Sequence, residues 1–385
     1  DRAMFHSDNA YYLPNVSISS YRCKTHTVSN TAFRGFGGPQ GMLGIERVID
    51  AVAHQLGLDP LAVRQANLYG LDKRNTTPYQ MVVEDNVLHE LIAELEQSSE
   101  YHKRRRQISE FNRASPVIRK GIALTPAKFG ISFTTTFLNQ AGALVHVYKD
   151  GSVHLNHGGT EMGQGLMIKI AQIVADEFQI DLERIKISAT NTGKVPNTSA
   201  TAASAGTDMN GMAARAATRK IKQRLVRFAA KKFGIKKTEV RFTDNHIEAG
   251  SDKISFVELA EQAWRARISL SATGFYKTPK IHYDPITFSG RPFLYFAYGA
   301  AVSEVAIDCL TGEQRITRVD ILYDAGRSLN PAIDIGQIEG GFVQGAGWLT
   351  SEELCWDDKG RLSTHASSTY KIPTVGDMPE IFNVT

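Results

Sequence analysis

Small residues gather in four places along this 385-residue chain: Gly35–Gly44, Gly158–Gly165, Thr198–Gly206 and Gly336–Gly347. The first three each run into an amphipathic helical pattern, and the fourth lies inside one. A loop of Gly, Ser, Thr and Ala that opens a helix presents backbone N–H groups with no side chain in the way. It also sits beside the positive end of the helix dipole. That arrangement suits phosphate and other oxyanions. Four such loops would surround a bulky, oxygen-rich ligand better than a lone mononucleotide. For each loop taken singly, a structural role in C-caps, bulges or close helix packing competes. None is a Walker GxxxxGK[ST] or a clean GxGxxG between strand and helix.

The periodicity predicts helices over Met42–Leu56, closed by Gly57 as a C-cap, over Leu166–Phe178, over Met209–Phe233 and from about Ile333 to Leu349. The second has Ile168, Ile170, Ala171, Val174, Ala175 and Phe178 as its apolar stripe. Strand patterns cover Ala143–Tyr148 and Val153–Asn156 around the tight turn Lys149-Asp150-Gly151. Others cover Ile185–Ala189, and Tyr295–Asp308 with Gln314–Tyr323 around Leu310-Thr311-Gly312-Glu313. Ser255-Phe256-Val257-Glu258 fits a capping box. Helices alternating with hairpins predict an α+β fold with mixed sheets rather than a purely parallel doubly wound one. Tyr101–Pro116 carries Lys103-Arg104-Arg105-Arg106 and reads as a connector or solvated helix face in preference to a phosphate or nucleic-acid patch.

A hydrophobic content of 42% with 22% charged residues excludes a disordered or fibrous chain. At about 150 residues per domain the length fits two or three domains, or one large α/β body. The net charge of +4 is too small and scattered for a nucleic-acid groove. No apolar run approaches the roughly 20 residues of a membrane helix, and no secretory signal is visible. Cys23, Cys309 and Cys355 lie too far apart for a disulfide framework or a CxxC-type zinc or iron–sulfur site. A first residue of Asp suggests a piece of something longer. There is no GxSxG elbow. His154 and His157 point to opposite faces of a strand and are not expected to share a metal. Glu161 reads as a carboxylate supporting the loop or a helix N-terminus, ahead of a reacting acid or base.

Six motifs then occur in order. They are Ala32-Phe33-Arg34-Gly35-Phe36-Gly37-Gly38-Pro39-Gln40, Lys128-Phe129-Gly130-Ile131-Ser132-Phe133, and Gly158-Gly159-Thr160-Glu161-Met162-Gly163-Gln164-Gly165. Asn197-Thr198-Ser199-Ala200-Thr201-Ala202-Ala203-Ser204, Ser271–Tyr276 and Ser328–Gln337 complete the set. Together they resemble the molybdopterin-binding subunit of the xanthine dehydrogenase/aldehyde oxidase family, over essentially the whole chain. The resemblance implies that residues 1–100 end a first molybdopterin-binding domain. Residues 101–116 then connect it to a second, truncated at its C-terminus, over 117–385.

The resemblance also assigns residues. Met162, Gly163, Gln164, Thr201, Ala202, Ala203, Ser204 and Gln344 would contact the pterin, with Phe33, Arg34 and Ala203 near molybdenum through their backbone. Phe36 and Phe133 would hold a flat purine, with Thr134 as a polar contact and Ala202 and Ala203 beside it. Arg2 would face the purine opposite the reacting carbon and stabilise charge there. The implied reaction oxidises hypoxanthine and xanthine to urate, with a glutamate as base. Electrons then leave through [2Fe–2S] clusters and FAD to NAD. Those groups, and a hetero-oligomeric or multi-segment assembly in the cytoplasm, are implied on other segments. No membrane or nucleic-acid partner is expected.

That glutamate belongs to a Gly-Glu-Pro-Pro stretch absent from this sequence, so the chain alone is expected not to turn over substrate. An aldehyde oxidase-like hydroxylase and a non-catalytic cofactor scaffold are the alternatives, and Arg2 favours the purine. Gly35 argues against the copper-containing carbon monoxide branch, which has Arg-Cys-Ser there.

Overall fold

The computed structural model describes residues 2–30, 32–195 and 197–385. The chain divides into two compact units. The first comprises Asp1–Gly130, Asp284–Arg291 and Tyr295–Thr385, the second Ile131–Tyr283 and Pro292–Leu294. In chain order the elements are α1 (Arg2–Phe5), α2 (Gly38–Leu56), α3 (Pro60–Asn67), α4 (Leu88–Ser98), α5 (Tyr101–Ala114) and β1 (Ile118–Ile131). There follow β2 (Gln140–Val147), β3 (Val153–His157), α6 (Leu166–Phe178), β4 (Ile185–Ile187) and α7 (Gly206–Phe233). Next come β5 (Val240–Thr243), β6 (His246–Ala249), β7 (Asp252–Ser255), α8 (Phe256–Arg265), β8 (Ser271–Lys277), β9 (His282–Asp284) and β10 (Ser289–Arg291). β11 (Tyr295–Asp308), β12 (Gln314–Asp324), α9 (Pro331–Leu349) and β13 (Ile381–Val384) complete the chain. Helices and mixed sheets bear out the α+β expectation.

The first unit is built on a sheet of order β1-β11-β12-β13, with β11 and β12 antiparallel and β13 parallel to β12. The basic run Lys103–Arg106 lies on α5 and is not one patch. Arg104 is buried, donating to Glu304 at 2.9 Å and to Asp320 at 2.8 Å. Lys103 bonds its neighbour Glu100. Arginine's rigid fork lets one residue bridge the buried Asp320 and the half-buried Glu304, so this position serves the inside of the unit.

In the second unit the sheet order is β4-β3-β2-β8. β2 pairs antiparallel with β3 and β8, whereas β3 and β4, joined through α6, run parallel. α7 packs against β2, β8 and α6 with an alanine-rich face of Ala213, Ala214, Ala217 and Ala229, all fully buried. Its small side chains allow close approach: a Cβ on Gly274 of β8 would lie 1.9 Å from the Ala213 carbonyl oxygen. A β5-β6-β7 meander leads to α8, whose Ser255–Glu258 capping box forms as expected.

The helix C-termini follow the sequence reading, while α7 begins at Gly206 rather than Met209 and α9 at Pro331 rather than about Ile333. α2 begins at Gly38 rather than Met42, because Gly37 is left-handed at φ 103° and Pro39 fits the first turn. Ile168 of the expected α6 stripe is exposed, while Ile170, Ala171, Val174, Ala175 and Phe178 are buried. Among the described residues, no helix is long and apolar enough to cross a membrane.

Candidate functional site

In the second unit the two loops named by the sequence are pinned together. Thr160 N donates to Thr201 Oγ1 at 2.9 Å. Gly158 lies so close to Thr198 that a Cβ would sit 1.9 Å from its Oγ1, and a Cβ on Gly159 would meet Leu166 and Asn210 within 3 Å. These glycines are therefore demanded by packing as well as by any ligand. The loops feed α6 and α7, so both helix N-termini belong to the cluster.

Glu161 occupies the first of them. Its Oε1 accepts from Gly163 N at 2.9 Å and Gly165 N at 3.0 Å, and its Oε2 accepts from Met167 N at 2.9 Å. The helix-terminal role expected from sequence is what the geometry has. Desolvation opposes ionisation, but the donors Met167, Gly165 and Gly163 outweigh it and hold the carboxyl below the usual glutamate range. A depressed pKa means the bonds are intact above the ordinary value and are lost as pH falls through the lowered one. The Gly163, Gly165 and Met167 amide resonances are expected to titrate together, with a midpoint below about 4.3. A midpoint at or above that value would refute the cap. Gln164 also braces its own loop, its Oε1 accepting from Met162 N and its Nε2 donating to Thr160 O. Met162 is exposed.

The small-residue loop is different. Ala203 and Ser204 are left-handed at φ 59° and 54°, a conformation that costs a non-glycine residue energy. Among the described residues, the N–H groups of Ala202, Ala203 and Ser204 have no hydrogen-bond acceptor. α7 starts at Gly206 with no side-chain cap. One further donor went unnoticed in the sequence. His157 Nδ1 accepts from Gly159 N at 3.1 Å, so its proton sits on Nε2, which is buried and without a partner among the described residues. Burial pushes its pKa down to about 4, keeping the ring neutral. His154 lies elsewhere, directly opposite His146 across β2 and β3, their rings stacked with centroids 6.1 Å apart. No group of three metal-ligating side chains occurs among the described residues.

Phe133 and Thr134, both half-buried, follow Ser132 at φ 140°. A buried side chain the sequence reading missed holds this strained turn. Asn139 accepts from Phe133 N at 2.8 Å and donates back to Phe133 O at 2.9 Å.

The first unit presents the other assigned residues. Phe36 is 66% exposed and left-handed at φ 52°, in a turn closed by its N–H on Phe33 O at 2.7 Å. Arg34 turns its side chain onto α9, donating to Gln337 O at 2.9 Å, and Phe33 packs on Trp348 with centroids 5.6 Å apart. Gly341 lies beneath that guanidinium. The backbone of Phe33–Phe36 is thus anchored by its own side chains. Gln344 stays exposed on α9.

Arg2 is buried. Its Nη2 donates to Gly130 O at 2.8 Å and its guanidinium lies 5.1 Å from the Phe129 ring centroid. The same ring carries the glycine turn, since a Cβ on Gly38 would come within 2.5 Å of it. Phe129 therefore brings Arg2 and the Phe33–Phe36 turn onto one support. His6 completes the arrangement, with Nδ1 on Arg2 O and Nε2 on Gly130 N, each at 3.0 Å. The four-residue spacing of Arg2 and His6 on a helical turn is the only sequence signal that could have revealed it.

Residues 94–379 and 1–68 match the family of molybdopterin cofactor-binding domains. The chain is 48% identical to a xanthine dehydrogenase/oxidase of Gallus gallus over 385 residues, and 44% identical to a xanthine dehydrogenase of Dictyostelium discoideum over 388 residues. In each case it is covered completely but spans only 27% of the relative's length. Quinoline 2-oxidoreductase from Pseudomonas putida 86 superposes with a TM-score of 0.80 at 25% identity, over 92% of this chain and 46% of that one. Aldehyde oxidoreductase from Desulfovibrio gigas shares the fold at a TM-score of 0.73 and 24% identity, over 92% of this chain and 35% of that one.

Proposed function

Because the chain belongs to the molybdopterin cofactor-binding domain family, we propose that it supplies the cofactor-holding part of a molybdenum hydroxylase that oxidises hypoxanthine and xanthine to urate. The observation that carries this is the unmatched row of N–H groups at Ala202, Ala203 and Ser204, joined to the Gly158–Gly165 loop. The donor set fits the group. Backbone amides at an uncapped helix start, with the buried Nε2–H of His157 nearby in sequence, suit the oxygens of a pterin phosphate and of an oxygen-bearing metal. A bound molybdenum–pterin group supplies oxygen transfer and two-electron redox chemistry.

The chain's own residues bind and polarise. Met162, Gly163, Gln164, Thr201–Ser204 and Gln344 are assigned to the cofactor, and the backbone of Phe33 and Arg34, with Ala203, to the neighbourhood of the metal. The methyl side chains of Ala202 and Ala203 leave room for a substrate beside the loop. Phe36 offers an exposed ring and Phe133 a ring on a clamped backbone, and flat aromatic faces select a planar heterocycle at low entropic cost. Thr134 adds a polar contact. Arg2 is cationic and fixed, which suits a purine carbonyl gaining negative charge.

The relatives at 44–48% identity are xanthine dehydrogenases, which favours purine over aldehyde. Iron–sulfur clusters and FAD are placed on other segments or subunits, since the three cysteines are free, exposed and scattered. Free thiols also suit a reducing, cytoplasmic setting.

Metal analysis with pterin fluorescence on the purified protein tests the reading. Tightly bound molybdenum is expected, with xanthine oxidised by the complete enzyme but not by this chain alone. Absence of molybdenum, with xanthine unoxidised by the complete enzyme, would leave a scaffold.

A further inference from the structure

We propose that His6 is a positioning residue for Arg2, setting the direction of its guanidinium and with it the preference for a purine over an aldehyde. The inference rests on the assignment of Arg2 to the purine and goes beyond it. Four observations converge, all within the first unit. His6 is 1% exposed, so its polar atoms have no water to fall back on. Gly130 N–H donates to Nε2 at 3.0 Å, which fixes that nitrogen as the acceptor and puts the ring proton on Nδ1. Nδ1–H then donates to Arg2 O, also at 3.0 Å. Finally, the imidazole packs on Phe129 at a centroid separation of 4.6 Å, against the same ring that faces the Arg2 guanidinium.

Gly130 is thereby read at both ends. Its N–H goes to His6 and its carbonyl takes the Arg2 Nη2 proton at 2.8 Å. The imidazole links the backbone of Arg2 to the backbone that the Arg2 side chain grips, closing a ring of contacts across 124 residues of sequence. A protonated imidazole would set a second donor against Gly130 N–H. Burial first, then the charges of Arg2 and Lys128, hold the pKa at about 3 despite the bond to the Arg2 carbonyl, so the neutral tautomer persists throughout the working range.

The test uses the complete holoenzyme with rates taken per bound molybdenum, so that loss of folded protein does not enter. Asn at position 6 places an amide where Nδ1 was, and Gln places one where Nε2 was. His6→Asn and His6→Gln are each expected to lower kcat/KM for xanthine about 10- to 100-fold, the scale of a misdirected catalytic contact, with aldehyde turnover nearly unchanged. The double variant H6N/R2M is expected to match R2M alone within about twofold, since a group acting through Arg2 has nothing left to direct. Equal losses on both substrates, or losses that multiply in the double variant, would assign His6 to structure alone. If R2M itself fails to separate purine from aldehyde, the assignment of Arg2 falls and this proposal falls with it.

Discussion

Arg2→Met is expected to lower kcat/KM for xanthine about 10²- to 10³-fold in the complete enzyme, the loss typical of removing one charge-stabilising donor. Aldehyde turnover should change far less. Arg2 is buried, and that burial pushes its pKa down to about 10, with the nearby Tyr79 opposing the shift; it remains cationic at neutral pH. An arginine kept charged away from water costs stability unless it is bonded, and here Gly130 O and the Phe129 face meet it. Methionine keeps most of the stem volume, and its sulfur packs well on an aromatic ring. Folding should therefore survive while the charge is lost. Steady-state kinetics on both substrates checks this. Parallel losses on xanthine and aldehyde would remove Arg2 from purine selection.

Gly274→Ala should be among the most destabilising single changes in the second unit. The added methyl would lie 1.9 Å from Ala213 O and 2.6 Å from Ala217 N, both backbone atoms of α7. A flexible side chain could swing away, whereas a helix backbone held by Ala213, Ala217 and Ile221 in the core cannot. Either β8 separates from α7 or the sheet deforms, at a cost of about 3 kcal/mol, the upper end of overpacking penalties. For a unit of this size that corresponds to a Tm lower by roughly 6–12 °C. Gly121→Ala serves as the control, since its Cβ would find only Val305 at an ordinary 3.5 Å. Calorimetry that shows the two variants equally stable would refute the argument.

The loops, the helices behind them and the α+β class could be read from residues because their signals are local. Gly57 closes α2 in the left-handed region, and Leu166–Phe178 reads directly as α6. Glu161 was legible for the same reason, its three donors lying within six residues of it. His6 was not, because its acceptor bond crosses 124 residues. Asn139 looks like an ordinary turn residue until Phe133 is seen bonded to it twice. Arg104 sat in a run that reads as solvated, and only the carboxylates of β11 and β12 explain its burial. Ile168 erred the other way: it fits the helical period but lies just beyond the buried stripe.

The interleaving of the units along the chain also sets an order of events during synthesis. The second unit is nearly continuous, from Ile131 to Tyr283, and needs only Pro292–Leu294 from further on. It can collapse on the ribosome as its own hydrophobic face emerges. The first unit cannot. Its strand β1 is made early but is hydrogen-bonded to β11, which starts at Tyr295, and the sheet is finished only when β13 pairs with β12. Until β11 emerges, β1 leaves unpaired the amides and carbonyls that β11 will meet, the kind of edge that recruits strands from other chains. Nascent chains stalled before Tyr295 should therefore be the aggregation-prone species, because β1, whose end carries the Phe129 and Gly130 that meet Arg2, still lacks its partner strand.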